Sequence, residues 1–141
     1  MASATKKIFI DSSVLAAFVD RGSRDHLKAS KAVDDAAGIG CRLYTSSQVI
    51  SEAYDSLTSE VGITVSLEFL QTILQSGIEI LFPQKADLIT SHRILKANRN
   101  EKLSFSEALN ATLMQKKGID QVLTFSSWNK LFATSKSNLV L

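Results

Sequence analysis

Cysteine, proline and histidine are nearly absent from this chain. Its 141 residues hold one Cys, one Pro and two His. Cys41 has no partner for an intramolecular disulfide, and a lone thiol cannot build a cysteine-rich zinc site. It reads as a small, partly buried hydrophobe beside a strand. His26 and His92 fall on different expected helices with no ligand spacing between them, which argues against a shared metal site. No apolar run approaches the roughly 18 residues of a membrane span, so no membrane partner is expected. Asp11 interrupts the apolar stretch behind Lys6 and Lys7 too early for a signal peptide. A cytoplasmic location is the expectation. Charge of one sign is also lacking: a net charge of +2 permits contact with nucleic acid without arguing for it. With 45% apolar residues and no internal repeat, low-complexity tract or linker, the chain reads as one globular domain over residues 1–141.

What is present is an alternation of short apolar strands with helical patterns. Ile8–Ile10 is a buried-strand signal that stops at Asp11, after which Ser12 or Ser13 can cap a helix carrying Val14, Leu15, Phe18 and Val19. Asp25 can cap a second helix to about Ala37, with Leu27, Ala29, Ala32 and Val33 as its apolar positions. Arg42–Thr45 reads as a second strand. Ser46 or Ser47 then caps a helix with Val49, Ile50, Ala53, Leu57 and Val61 on its stripe. Thr64 or Ser66 opens another helix through Leu67, Phe69, Leu70, Ile73 and Leu74. Ile78–Phe82 is a third strand. A polar helix from about Lys85 to Asn98 places Leu88, Ile89, His92 and Leu95 on one side. The next runs from near Ser104 to Lys117, with Phe105, Ala108, Leu109, Thr112 and Leu113 as its buried face. Gln121–Phe125 makes a fourth strand, Trp128 suggests a short helical turn, and Leu139–Leu141 can add an edge strand. Such alternation predicts an α/β fold, with a central parallel sheet of four to five strands flanked by helices.

Three carboxylates fall near strand–helix junctions or helix stripes: Asp11 after the first strand, Glu52 in the helix after the second, and Glu107 in the first turn of the helix before the fourth. Acidic groups gathered around one cleft call for a cation, and oxygen donors suit Mg²⁺ or Mn²⁺. That donor set supports phosphodiester hydrolysis by activating water. Each residue also has a plainer use. Asp11 can cap the helix that follows. Glu52 can be a solvated helix residue or a partner for a lysine. Ser104–Phe105–Ser106–Glu107 has the spacing of a capping box, in which the Glu folds back onto the cap backbone. Spacing alone leaves both uses open.

Three stretches, IFIDSSVLAAF, SSQVISEAYDSL and LSFSEALNATLMQKKGIDQVLTF, resemble the successive acidic motifs of PIN-domain ribonucleases. The similarity spans nearly the whole chain, and its length resembles that of single-domain VapC-like toxins from type II toxin–antitoxin pairs. The resemblance implies a three-layer α/β/α fold and an acidic pocket for Mg²⁺ or Mn²⁺. It also implies an RNA substrate, a homodimer built through the early helices and a cognate antitoxin whose peptide fills the pocket. By position it makes Asp11, Glu52 and Glu107 the metal-binding and catalytic residues, with Ser13, Thr124 and Ser126 supporting the metal shell. Two departures stand out. Glu107 occupies a position that is usually Asp, and Ser126 stands where the family commonly places a further acid. The second departure suggests an alternative, a PIN-fold RNA-binding or scaffold protein with weakened catalysis. A phosphotransfer domain built on Asp11 is disfavoured, because no second Asp follows two residues on and no suitably placed Lys supports it.

Positive charge gathers at Arg93, Lys96, Arg99 and Lys102, and again at Lys116–Lys117. A solvated helix face explains the first cluster, and a path for RNA is its functional reading, since phosphate contacts supply affinity without sequence specificity.

Overall fold

A computed structural model describes residues 5–125 and 138–140. Five strands, β1 (Lys7–Ile10), β2 (Arg42–Ser46), β3 (Glu79–Leu81), β4 (Gln121–Thr124) and β5 (Asn138–Val140), form one sheet in the order β3-β2-β1-β4-β5. All four pairings are parallel, with Phe9 opposite Tyr44 and Val122 on the two neighbours of β1. Among the described residues six α-helices connect β1 through β4: α1 (Ser12–Val19), α2 (His26–Gly38), α3 (Ser47–Glu60), α4 (Ile63–Gln75), α5 (Lys85–Ala97) and α6 (Phe105–Lys117).

The chain steps outward from β1 to β2 to β3, then crosses back to β4 and β5. Right-handed crossovers therefore place α1–α4 on one face of the sheet and α5–α6 on the other. Packing agrees, since α1 contacts α2, α3 and α4 while α5 packs on α6. The core lies between these layers, with Phe9, Ile10, Val14, Leu15, Tyr44, Val49, Phe69 and Val122 fully buried. The direction of travel reverses between β1 and β4. In an open parallel sheet, that reversal opens a crevice at the carboxyl ends of the strands. Asp11 and Thr124 stand at this point.

Local chemistry sets the helix boundaries. Asp11 caps α1 through its side chain, and Ser46 caps α3 by accepting the Val49 N–H at 3.2 Å. Helix α6 ends at Gly118, whose φ of 73° is a left-handed conformation that costs glycine little. Three expectations change. Asp25 precedes α2 but makes no side-chain cap bond, and α4 opens from Gly62 rather than from Thr64 or Ser66. Leu67 and Leu74 of α4, Leu27 of α2 and Phe105 of α6 are exposed, because each helix can turn only one stripe toward the sheet.

Helix α5 departs further. It buries Asp87 and Ser91, leaving Leu88 and Ile89 exposed. The buried face is polar because it is fully answered. Asp87 accepts the Gln84 N–H at 2.8 Å and faces the Lys116 ammonium at 3.4 Å, while Ser91 and Thr112 share a hydrogen bond. Removing this carboxylate takes the cap acceptor from the Gln84 amide and the counter-ion from Lys116. Asp87→Ala is accordingly expected to lower the unfolding free energy by about 1–3 kcal/mol, read as a drop in the urea midpoint.

Candidate metal centre

Period-two alternation puts Phe9 and Asp11, Tyr44 and Ser46, and Val122 and Thr124 on a common face of the sheet. The second member of each pair lies at a strand's carboxyl end. Asp11 is buried. Its Oδ1 accepts the Ser12 N–H at 2.7 Å, and its Oδ2 accepts the Thr124 hydroxyl at 2.8 Å. Capping and site placement are thus compatible uses of one carboxylate. Thr124, fully buried, fixes the Asp11 rotamer from the neighbouring strand. Ser13 Oγ accepts the Phe125 N–H at 3.1 Å and ties the end of β4 to α1.

Glu52 projects from α3, one turn after Gln48, and its side chain is exposed. Its carboxyl nevertheless holds its proton above the ordinary carboxylate range. Partial desolvation is the largest cause; the negative charges of Asp11 and Glu107 push the same way, and a hydrogen bond from Ser106 opposes them. Glu52 therefore feels both of the other carboxylates that the sequence singled out. Glu107 forms the capping box read from its spacing: its N–H donates to Ser104 Oγ at 3.0 Å, and its Oε1 accepts the Ser104 N–H at 3.3 Å. Among the described residues, no group of three His, Cys, Asp or Glu side chains is already drawn together closely enough to hold an ion. Ser126 and Trp128 lie outside the described residues.

Sequence reasoning misses a buried polar group behind these carboxylates. Asn110 Oδ1 accepts from Ser46 Oγ at 2.7 Å and from Gln48 Nε2 at 2.7 Å. The one signal for it is an amide, Asn110, within the otherwise apolar run Ala108, Leu109, Ala111 of α6. Ser106 is missed too, since its only mark in the sequence is a place inside the cap spacing.

A cavity of about 450 Å³ opens beside Glu52, Ser12 and Ser13 and runs between α1 and α3 to Asp20, Asp25 and Glu60. Its walls carry four carboxylates and no Lys or Arg, so it attracts cationic groups and repels phosphate. The basic residues Arg93, Lys96, Arg99 and Lys102 are exposed along the end of α5 and the connection to α6. The Asp87–Lys116 and Ser91–Thr112 contacts fix α5 and α6 antiparallel. That register sets Lys96 level with the turn carrying Glu107.

Comparison with known proteins gives this geometry a context. The family model of the PIN domain matches residues 8–126. Ribonuclease VapC26 of Mycobacterium tuberculosis is 24% identical over 117 residues, covering 83% of this chain and 84% of that protein. Among solved structures, the M. tuberculosis toxin VapC20, described as cleaving the sarcin–ricin loop, matches with a TM-score of 0.75 at 20% identity. That match covers 90% of this chain and 94% of the toxin. VapBC2 from Rickettsia felis, bound to a DNA fragment from their promoter, matches with a TM-score of 0.71 at 11% identity, covering 96% of this chain and 98% of that one. The structural neighbours share the fold.

Proposed function

We propose a function from one premise: this chain belongs to the PIN-domain family. It is a metal-dependent endoribonuclease that hydrolyses RNA phosphodiester bonds, the toxin half of a toxin–antitoxin pair. The observation that carries the reading is the buried Asp11 carboxylate, held by Thr124 at the reversal point of the sheet, with Glu52 within its electrostatic reach. A curated ribonuclease relative and a toxin among the structural neighbours support the choice of RNA.

The donor set fits a hard divalent cation. It consists of carboxylate oxygens alone, and Glu52, its proton held by partial desolvation first and by the charges of Asp11 and Glu107 second, gains from a neighbouring cation. Asp11, Glu52 and Glu107 would hold Mg²⁺ or Mn²⁺, which when bound supplies water activation and neutralises charge at phosphate. Thr124 orients Asp11, and Ser106 orients Glu52. To hold an ion, Glu107 would exchange its 3.3 Å capping bond to the Ser104 N–H for the metal. The basic row from Arg93 to Lys102 binds RNA backbone beside the acidic centre. The acid-lined cavity between α1 and α3 suits a basic segment of an antitoxin, and the protein pairs as a homodimer. No helix among the described residues is long and apolar enough to cross a membrane.

The test is cleavage of a mixed RNA pool by the purified protein. Activity is expected with Mn²⁺ or Mg²⁺, lost in EDTA and restored by excess metal. RNA binding with no cleavage under any metal would instead identify a catalytically weakened RNA-binding protein.

A further inference from the structure

We infer that Asn110 is a positioning residue: together with Ser46 and Gln48 it forms a buried latch that sets the spacing between the helices carrying Glu52 and Glu107. Asn110 and Ser46 are both essentially inaccessible to solvent, at 2% and 0% exposure. A buried amide oxygen is costly unless it is answered. Here both lone pairs of Oδ1 are used, by the Ser46 hydroxyl and by the Gln48 amide, each at 2.7 Å. The donors come from the start of α3 and the acceptor from α6, so the bonds bolt one helix to the other.

The positions along each helix make the bolt relevant to the site. Asn110 follows Glu107 by three residues and Gln48 precedes Glu52 by four, so each latch residue lies one turn from a carboxylate, along the same helix face. Ser46 also caps α3 through the Val49 N–H. Its neighbour Thr45 donates to the Ile10 carbonyl at 3.0 Å, immediately before Asp11. The hydrogen bonds of the adjacent residues Thr45 and Ser46 thus reach the elements bearing all three carboxylates. Groups bonded directly to metal ligands typically cost about 10–100-fold in affinity when lost; the latch acts through the helices that carry the ligands, so the lower end of that range is expected. The inference rests on the metal-binding reading above. It goes beyond that reading by assigning the spacing of the carboxylates to three uncharged residues.

The experiment compares wild type with Asn110→Leu, which keeps the bulk and deletes the acceptor, and Asn110→Asp, which restores the acceptor. Mn²⁺ affinity is measured by calorimetry without RNA, and amide exchange is followed over the first turn of α3. Asn110→Leu is expected to bind Mn²⁺ about tenfold more weakly or worse, with faster exchange at Val49, and Asn110→Asp to recover most of both. If Asn110→Leu does not fold, Gln48→Ala removes a single bond at a partly exposed position and should give a smaller loss in the same direction. Equal Mn²⁺ affinity in wild type and a folded latch variant overturns the latch while leaving the nuclease reading intact. A wild type that binds no Mn²⁺ sinks the nuclease reading, and unchanged α3 exchange in the variants then removes the latch as well.

Discussion

Asp11→Asn is expected to lower Mn²⁺-dependent RNA cleavage by at least about 100-fold, since losing a charged contact to a catalytic ion costs several kcal/mol of transition-state stabilisation. The structure separates this loss from any loss of fold. The Asn side-chain oxygen can still accept the Ser12 N–H that Asp11 Oδ1 accepts at 2.7 Å, and Asn caps helices as well as Asp does. At the other atom, an amide N–H replaces an acceptor, and the Thr124 hydroxyl, now 2.8 Å away as a donor, can rotate to accept. Thermal unfolding should therefore shift little in Asp11→Asn. Asp11→Ala, by contrast, loses the cap as well and should cost about 0.5–2 kcal/mol. Cleavage within a few-fold of wild type in a folded Asp11→Asn protein would remove Asp11 from the centre and with it the proposed mechanism.

Asp11 is legible because a carboxylate that ends an apolar strand in an α/β chain lands at the sheet edge where helix N-termini converge, and the Ser104–Glu107 box is legible from spacing alone. Asp11 caps α1 while facing Thr124, and Glu107 caps α6 within Coulombic reach of Glu52. What stays hidden has a common cause. Hydrophobic periodicity marks residues able to be buried, and it says nothing of polar residues buried in pairs. Leu88 and Ile89 look like the inner face of α5, and Asp87 and Ser91 do not, because the partners Lys116 and Thr112 lie more than 20 residues away. The Ser46–Gln48–Asn110 bonds span more than 60 residues and look, one residue at a time, like a helix cap and two surface amides. Helix α4 fails differently: apolar residues occupy more than one of its faces, so the pattern cannot say that Phe69 and Ile73 face inward while Leu67 and Leu74 face out.

Glu52→Gln should move stability and function in opposite directions. Burial and two neighbouring negative charges hold the Glu52 carboxyl above its ordinary range in the folded chain. The folded state therefore binds this proton more tightly than the unfolded state does. The contribution is fully present below the unfolded carboxyl value and is lost as pH rises through the folded one. At neutral pH the ionised Glu52 is thus a net burden on the metal-free protein. A neutral Gln removes it while keeping an oxygen for Ser106. In EDTA at pH 7 and low ionic strength, Glu52→Gln should melt above wild type, and the difference should vanish at a pH well below the usual carboxylate range. Salt should shrink the part of it owed to the Asp11 and Glu107 charges, which it screens, and leave the desolvation part. Saturating Mn²⁺ should reverse the order. An ion that binds only the folded state adds about 2.7 kcal/mol at 100 times its Kd, a gain of several degrees for wild type that the Gln variant largely forgoes along with cleavage. Melting curves in EDTA and in Mn²⁺ decide the matter. A Gln variant less stable than wild type in EDTA contradicts the electrostatic burden, and the same midpoint for wild type in both buffers contradicts the ion site.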